Sequence, residues 1–378
     1  NHMKNILGGK DKVRIGAIQA SPFFFDKEKT LSKACDLIKE AAKLECNIIA
    51  FPEVFISGYP AFFTLGYDSN PKVWTEYLIS LQRSSIIIDG EEVNTLKEVA
   101  RDNNIIVIMG ANELDSTPGS QTVFNSLLFI DNHGKLLGSH RKLIPTYTER
   151  IYWGNGDGSD LEVYDTEYGR ISGLICWENH MTAIRSYLMT KGFEIHACVW
   201  PGNWKRGKDK LLDADTSMEN NSCNIQSFCK INSFESGAFT LSVSGILTEN
   251  CFNKNLEKFR DSEHMNYSWS RGGSLITNPA GRILNGPLFN EEGIVYTDCY
   301  AEQIMASKAI FDHLGHYSRP DLININYNTK GNKYNGGIDT TLNNLLDNKK
   351  KIKEISEKND IEEKILEEII SELAGTTN

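Results

Sequence analysis

The sequence predicts an α/β fold in which helices cover the outer faces of mixed β-sheets, within one large domain. In the first half of the chain, buried apolar runs alternate with segments of helical spacing, a pattern typical of strands joined by helices. Elsewhere, strand-like runs follow one another through short turns. The Asp-Asn-His-Gly turn at 131–134 is the clearest of these, and it favours an antiparallel hairpin.

The first half of the chain is predicted to contain five strands and two helices. A helix over 27–43 is indicated by apolar residues that recur every three or four positions, and a second helix covers 92–103. The predicted strands cover 13–20, 47–53, 105–110, 123–130 and 135–142.

The second half continues the alternation of strands and helices. A segment near the end, 349–373, carries Ile and Leu at helical spacing among Lys and Glu, so it predicts an amphipathic helix. That helix docks on its own domain, contacts another subunit or forms a loose tail. The other predicted elements are strands near 161–165, 170–175, 194–200, 238–245, 273–277 and 293–299, and helices near 181–191 and 213–235.

Composition excludes several functional classes. A formal net charge of −10 argues against a nucleic-acid binder, because phosphate contacts require a basic surface. No apolar run approaches the ~20 residues of a membrane-spanning helix, so no membrane partner is expected. The first three residues, Asn-His-Met, resemble a cloning remnant and no signal peptide follows, which predicts a cytoplasmic location. The eight cysteines are scattered without a C-x-x-C pair, which argues against a disulfide framework and a zinc site.

Cys176 is the most informative residue for function. It directly follows an apolar run at 171–175, and the end of a buried strand is where a sheet presents side chains to a crevice. A free thiol has a pKa near ~8.5 and becomes a nucleophile only when a base or a cation activates it. Taken alone, such a cysteine is more often a plain buried thiol than a nucleophile, because buried structural cysteines are common.

Two further charged residues stand at the ends of predicted strands. Glu53 could be a general base in the crevice or could turn to solvent. Lys142 could lower the pKa of the thiol and stabilise developing negative charge, or it could be a solvated strand terminus. If the three groups converge, they can attack an electrophilic carbon without a metal or a cofactor. Sequence spacing cannot show this convergence, because the residues lie on separate strands.

Several other polar residues leave alternatives open. Glu149 could belong to the site or form a loop ion pair with Arg150. Glu178, two positions after Cys176, could support the site or only the fold. His140 and His180 keep a Cys–His hydrolase arrangement open, although eight histidines make chance neighbours easy.

The order and flanks of three of these residues resemble the Glu–Lys–Cys set of the nitrilase superfamily. Glu53 stands in Phe-Pro-Glu, Lys142 in His-Arg-Lys-Leu and Cys176 in Cys-Trp-Glu-Asn. The stretch 145–159 and the Gly-His-Tyr-Ser-Arg-Pro-Asp segment at 315–321 are similar to the true nitrilase branch, as is Cys-Trp-Glu-Asn. The resemblance extends from about residue 13 to residue 321.

The resemblance implies an α-β-β-α sandwich that forms homodimers and, in this branch, often spirals or filaments. It places the carbon–nitrogen hydrolase domain at 13–300, after a tag remnant and N-terminal tail at 1–12. A C-terminal interface extension at 301–330 and a tail at 331–378 with the amphipathic helix are expected to follow.

The resemblance also assigns roles to the candidate residues. It implies that Cys176 is the nucleophile, Glu53 the base and Lys142 the stabiliser of developing charge, together with a backbone N–H near Trp177. Glu149 matches an additional acidic residue of the site. Tyr59, Trp177, Trp200 and Pro201 are the candidates for substrate contacts, with Phe62 and Trp204 nearby in the sequence, although aromatic residues are as often core as pocket wall.

The implied activity is hydrolysis of a small-molecule nitrile to the carboxylic acid and ammonia, through a thioimidate and a thioester on the cysteine. Two alternatives use the same three residues: hydrolysis of amides or N-carbamoyl compounds, and hydration of a nitrile to the amide as in cyanide hydratase. An assembly protein that has lost catalysis is the alternative from a different class.

Overall fold

A computed structural model describes residues 6–60, 71–202, 223–247, 251, 270–322 and 326–331. The chain divides into two compact units, Asn1–Lys330 and Gly331–Asn378, and all the described helices and strands lie in the first. The amphipathic helix predicted at 349–373, the beginning of the helix predicted at 213–235, and the side chains of Phe62 and Trp204 lie outside the described residues.

The described residues of the first unit form strands and helices in the alternation that the sequence predicts. In chain order the strands are β1 (Lys12–Gln19), β2 (Ile48–Ala50), β3 (Ile106–Leu114), β4 (Val123–Ile130), β5 (Leu136–Arg141), β6 (Tyr164–Thr166), β7 (Gly169–Ile175), β8 (Ile195–Trp200), β9 (Phe239–Ser244), β10 (Ile246–Leu247), β11 (Ser270–Thr277), β12 (Ile283–Phe289) and β13 (Gly293–Tyr300). The helices are α1 (Lys27–Lys43), α2 (Pro71–Ser84), α3 (Glu91–Asp102), α4 (Thr182–Thr190), α5 (Cys223–Ser236) and α6 (Ala301–Ile310).

The strands form two mixed sheets that pack face to face. The first sheet has the order β13-β1-β2-β3-β4-β5, and the second has the order β10-β11-β9-β8-β7-β6 with β12 paired to β11. Side chains from both sheets meet in one core, where Ile48, Ile108 and Phe129 of the first sheet belong to the same buried cluster as Ile175 and Val199 of the second. The sandwich implied by the resemblance is therefore present.

Helices cover the outer face of each sheet. The apolar stripe of α1, including Ala34 and Ile38, packs with Leu96 of α3 over the first sheet. On the second sheet, Leu188 of α4 packs against Leu174, and α5 adds further side chains to the buried core. Asp26 caps the start of α1: its carboxylate accepts the backbone N–H of Lys29 and so satisfies one free donor of the first turn.

Most predicted strands are confirmed, with differences at several ends. β2 is shorter than predicted because Pro52 has no N–H to continue the ladder, and β3 extends beyond the predicted end at 110. Of the strand predicted near 161–165, only residues 164 and 165 are in β6, which ends at Thr166. Sequence reasoning missed α2, α6, β10 and β12. Pro287 within β12 obscures its strand pattern, since proline cannot donate to a ladder.

Strand directions bring the candidate residues to one edge of the sandwich. β2 and β3 are parallel, and β5 runs in the same direction because both β3 and β5 are antiparallel to β4. Glu53 follows β2 and Lys142 follows β5, so both lie at the carboxyl ends of strands in the first sheet. In the second sheet, β7 and β8 are parallel and are followed by Cys176 and Pro201. None of the described helices is both long and apolar enough to span a membrane.

Gly110 on β3 provides a test of this packing. The carbonyl oxygen of Pro52 lies so close to Gly110 that a methyl group there would overlap it. We expect Gly110→Ala to lower the free energy of unfolding by about 1–3 kcal/mol, because the backbone before Glu53 must move. Thermal unfolding followed by circular dichroism measures the change.

Gly138→Ala on β5 is the matched control for Gly110→Ala. Its added methyl would meet the hydroxyl of Tyr164, a side-chain end that can move aside. We expect a smaller loss there. An equal or greater loss for Gly138→Ala would contradict the importance of the contact between Gly110 and Pro52.

Candidate active site

Cys176 lies in a tight turn directly after β7. Its backbone φ is 56°, in the left-handed region that non-glycine residues rarely adopt, and its side chain is buried. The amide of Asn179 donates to the carbonyl oxygen of Cys176 at 2.8 Å and to that of Leu174 at 3.2 Å. The turn is therefore held in an unfavourable conformation by a specific side chain, as is common at functional sites.

A buried chain of hydrogen bonds fixes Asn179. Because its amide nitrogen donates to two carbonyls, its oxygen must accept from Nε2 of His196, at 3.1 Å. Nδ1 of His196 is then left to accept from the hydroxyl of Ser172, at 2.7 Å. Burial lowers the pKa of His196 to about 3, so the ring is neutral and this proton arrangement persists at physiological pH.

Lys142 lies between two carboxylates in the interior. Its Nζ is 2.7 Å from Oε1 of Glu53 and 2.8 Å from Oε2 of Glu149, and the three side chains are almost completely buried. The backbone N–H of Lys142 donates to the carbonyl of Asn125 on β4. Burial alone would lower the pKa of Lys142, but Glu53, Cys176 and Glu149 raise it, so the ammonium stays charged.

The two oxygens of Glu53 have different environments. Oε1 accepts from Lys142 and, at 2.6 Å, from the amide of Asn125. Oε2 is buried and has no hydrogen-bond partner within the described part of the chain. Burial raises the pKa of Glu53 to about 7, although Lys142 acts in the opposite direction. One oxygen is thus anchored, and the other is available to take up a proton.

Glu149 is held by its own turn and by a tyrosine. It lies in the 3-10 turn Tyr147–Ile151, where its Oε2 accepts the backbone N–H of Thr146 at 2.7 Å. Its Oε1 accepts the hydroxyl of Tyr59 at 2.6 Å. The ring of Trp153 packs beside this group. Its centroid is 5.8 Å from the centroid of the Tyr59 ring and 5.7 Å from Nζ of Lys142. Tyr59 therefore belongs to the charged group through Glu149.

The charges of this group act on the thiol. Burial raises the pKa of Cys176 well above its ordinary value, Glu53 and Glu149 raise it further, and Lys142 and the backbone N–H of Trp177 lower it. The sequence-based expectation that Lys142 would lower the thiol pKa is correct for that one interaction, but burial outweighs it. The thiol is therefore protonated at neutral pH and needs a base at the moment of attack.

The structure separates the other substrate-contact candidates. Trp177 is 41% exposed, and its ring meets that of Tyr147 at 6.0 Å. Trp200 is buried; its indole N–H donates to Ser242 at 2.9 Å. Pro201 is buried directly after β8. The indole N–H of Trp200 is thus committed to the core, whereas Trp177 presents its ring to solvent beside Cys176.

The histidines do not provide a Cys–His pair in this arrangement. Nδ1 of His140 is 2.7 Å from Asp160 and its Nε2 is 3.0 Å from Glu178. Burial alone would lower the pKa of His140, but Glu178 and Asp160 raise it to about 10, so it cannot serve as a base at neutral pH. His180 packs against the rings of Trp200 and Phe228.

Sequence reasoning missed the residues that support the charged group. Asn125 is the clearest example, since a polar residue inside the buried strand β4 indicates a hydrogen-bond partner, here Glu53. His196 inside β8 carries the same signal. In the part of the chain that the structure describes, no three His, Cys, Asp or Glu side chains are arranged to hold a metal ion.

Comparison with known proteins gives consistent matches over most of the chain. The sequence model of the carbon–nitrogen hydrolase family matches residues 14–309. The chain is 35% identical to nitrilase 2 of Arabidopsis thaliana over 84% of this chain and 88% of that protein. It is 33% identical to an aliphatic nitrilase of Rhodococcus rhodochrous over 84% of this chain and 83% of that protein. A solved carbon–nitrogen hydrolase from Helicobacter pylori G27 shares the fold, with a TM-score of 0.62 at 18% identity, over 82% of this chain and 96% of that one.

Removal of the buried ammonium should destabilise the protein in a pH-dependent way. Lys142→Met leaves Glu53 and Glu149 as two buried carboxylates without their cation. We expect a loss of about 3–5 kcal/mol in the free energy of unfolding at about pH 9. Lys142 lowers the pKa of Glu53, so without the ammonium that pKa rises further, and protonation at about pH 5 makes the loss smaller. Urea unfolding at the two pH values measures both losses.

Lys191→Met is the control for this buried group. Lys191 pairs with Glu162 at 2.7 Å near the surface. We expect a loss below about 1 kcal/mol with little dependence on pH. Equal losses for Lys142→Met at the two pH values would contradict the pairing of two ionised carboxylates with one ammonium.

Proposed function

Because this chain belongs to the carbon–nitrogen hydrolase family and is an enzyme that hydrolyses nitriles, we propose that Cys176 attacks the nitrile carbon with Glu53 as its base. The environment of Glu53 is the observation that supports this proposal most strongly. One of its oxygens is anchored by Lys142 and Asn125, the other has no partner among the described residues, and its pKa is about 7. That carboxylate suits the removal of a thiol proton at neutral pH.

The first half of the reaction forms a thioimidate. Glu53 takes the proton from the Cys176 sulfur, the sulfur–carbon bond forms, and the nitrile nitrogen gains a proton from the acid–base residues as one of its π bonds is lost. Lys142 and the backbone N–H of Trp177 stabilise the negative charge that develops during attack. Deprotonation and attack occur together, because the buried thiol does not ionise on its own at neutral pH.

The second half consumes two waters. Glu53 removes a proton from the first water as the water oxygen adds to the thioimidate carbon. Protonation of the nitrogen then allows the carbon–nitrogen bond to break. Ammonia leaves and a thioester remains on Cys176. The second water adds in the same way, the carbon–sulfur bond breaks, and the carboxylic acid departs as the sulfur regains a proton. The net reaction is a nitrile and two waters giving a carboxylic acid and ammonia.

We assign auxiliary roles to residues around this centre. Glu149 shares the ammonium of Lys142 and is held by Tyr59, so it keeps that cation centred between two carboxylates. The ring of Tyr59, whose hydroxyl is already committed, and the exposed ring of Trp177 are proposed to contact the substrate. Trp200 and Pro201, buried at the end of β8, are proposed to form the inner wall of the substrate site.

The choice of nitrile over amide substrates rests on the relatives. Both relatives named above are nitrilases, whereas an amide-acting or N-carbamoyl-acting enzyme would use the same three residues. Release of an amide instead of the acid follows if the tetrahedral species expels sulfur before nitrogen. Ammonia and amide measured together from one nitrile panel distinguish these outcomes.

We also propose that the protein forms a homodimer, which extends to a spiral or filament. It rests on the resemblance, and exposed apolar side chains on the outer helices support it: Ile231, Phe234, Met305 and Ile310. The interface extension at 301–330 contains the last two of these. The cytoplasmic location is likewise a proposal, and it rests on the sequence alone.

Substitution of the nucleophile tests the proposal directly. Cys176→Ala should release ammonia from nitriles more than about 1,000-fold more slowly, because no covalent intermediate can form. Cys176→Ser should be similarly impaired, since a buried hydroxyl is harder to deprotonate. Cys35→Ala, which removes a partly exposed thiol on α1, is the control and should keep full activity. Undiminished turnover by Cys176→Ala would refute the assignment of Cys176 as the nucleophile.

The ionisation of Glu53 predicts the acid side of the pH profile. The base must be deprotonated, and its pKa is about 7. We therefore expect kcat/KM to fall about tenfold per pH unit below about pH 7 and to level off above it. Glu53→Gln should abolish most activity.

Glu194→Gln is the control for this pH dependence. Glu194 is another buried carboxyl whose pKa burial raises, but it binds the backbone N–H groups of Leu7 and Arg170. Its substitution should leave the acid limb in place. A flat profile between about pH 5 and pH 8 in the wild-type enzyme would remove Glu53 as the base.

A further inference from the structure

We propose that Glu178 is a positioning residue that holds Lys142 and Cys176 at a fixed separation across the two sheets. The inference deepens the proposed function and rests on it, because it concerns how the nucleophile and its charge stabiliser are aligned. Glu178 is almost completely buried in the 3-10 turn Cys176–His180. It is two residues from the nucleophile and 36 positions from Lys142 in the sequence.

The carboxylate of Glu178 binds the immediate neighbours of both catalytic residues. Its Oε1 accepts the backbone N–H of Leu143, the residue after Lys142, in a short hydrogen bond. Its Oε2 accepts the backbone N–H of Ile175, the residue before Cys176, at 2.9 Å. Lys142 follows a strand of the first sheet and Cys176 a strand of the second. One carboxylate therefore joins the two strand ends that carry the reacting groups.

A buried cation balances this carboxylate. Both ring nitrogens of His140 face carboxylate oxygens, Nδ1 at 2.7 Å from Asp160 and Nε2 at 3.0 Å from Glu178, so both nitrogens carry protons. Asp160 also accepts the backbone N–H of Arg141, at 2.8 Å. Arg141 directly precedes Lys142 and Leu143 directly follows it. Carboxylates therefore hold the backbone N–H groups on both sides of the catalytic lysine.

The geometry indicates positioning, because the contacts surround groups whose alignment decides the rate. Cys176 has a left-handed φ, so its turn relaxes if an anchoring bond is lost. A displacement of the sulfur relative to Lys142 by about 1 Å can slow a reaction by about 100-fold. Glu178 touches neither substrate nor reacting atoms in this proposal; it acts through the two backbone N–H groups that it holds.

The test compares Glu178→Gln with Asp160→Asn. Glu178→Gln keeps the shape of the side chain but has one acceptor oxygen, so it cannot bind both backbone N–H groups. Asp160→Asn removes the negative charge on the opposite side of the same His140. Its remaining amide oxygen can still accept the backbone N–H of Arg141, and both bonds of Glu178 stay in place. Three quantities are measured for each: kcat on a nitrile, the rate at which iodoacetamide alkylates Cys176, read by intact mass, and the melting temperature.

We expect kcat of Glu178→Gln to fall about 100-fold, and alkylation of Cys176 to slow as well, because both depend on the placement of the sulfur. Asp160→Asn should keep kcat within about threefold of the wild-type value. Its melting temperature should nevertheless fall about as much as that of Glu178→Gln. Retention of kcat within about threefold in Glu178→Gln, or equal losses of kcat in the two variants, would overturn the proposal and make Glu178 a residue of the fold alone.

Glu178→Asp keeps the inference testable if Glu178→Gln does not fold. It retains the negative charge for His140, but it is one methylene shorter and cannot reach both N–H groups, so the same losses are expected. Alkylation needs no nitrile turnover and therefore reads positioning independently of the proposed function. Turnover by Cys176→Ala would refute that function, whereas unchanged alkylation and kcat in both Glu178 variants would refute the positioning role.

Discussion

The structure of the site depends on one buried ammonium shared by two carboxylates. Lys142 lies within 3 Å of both Glu53 and Glu149, which come from separate parts of the chain. Burial raises the pKa of Glu53 to about 7, and Glu149 adds to that rise because one ammonium serves two buried carboxylates. The same surplus of negative charge opposes ionisation of the thiol. The pKa of the base and the protonation of the thiol thus share two causes, burial first and the neighbouring carboxylates second.

The sandwich places these charges by strand direction. Because β2, β3 and β5 run the same way, Glu53 and Lys142 emerge at one edge of the first sheet. The parallel strands β7 and β8 end at Cys176 and Pro201 in the second sheet. Residues far apart in the sequence meet because each follows the carboxyl end of a strand. The fold therefore supplies the convergence that spacing along the chain could not show.

The sequence could indicate which polar residues stand at strand ends. It could not indicate which residues form hydrogen bonds between separate elements. Predicted strands that end at Glu53, Lys142 and Cys176 are visible in the sequence, and the resemblance linked the three. The hydrogen bond from Tyr59 to Glu149 and that from Asn125 to Glu53 depend on how separate elements pack. The indole of Trp200 shows the converse, because its contact with Ser242 places a residue that looked like pocket wall partly in the core.

The left-handed backbone of Cys176 bears on how this enzyme could change over evolutionary time. Glycine, or asparagine, would adopt a φ of 56° with less strain, so the backbone alone does not favour a cysteine at this position. If Cys176 is the nucleophile, as proposed, selection for chemistry opposes that preference. In a lineage released from nitrile turnover, position 176 should therefore be among the first in the site to drift, and toward glycine. Its residue identity alone would then mark which descendants have kept catalysis.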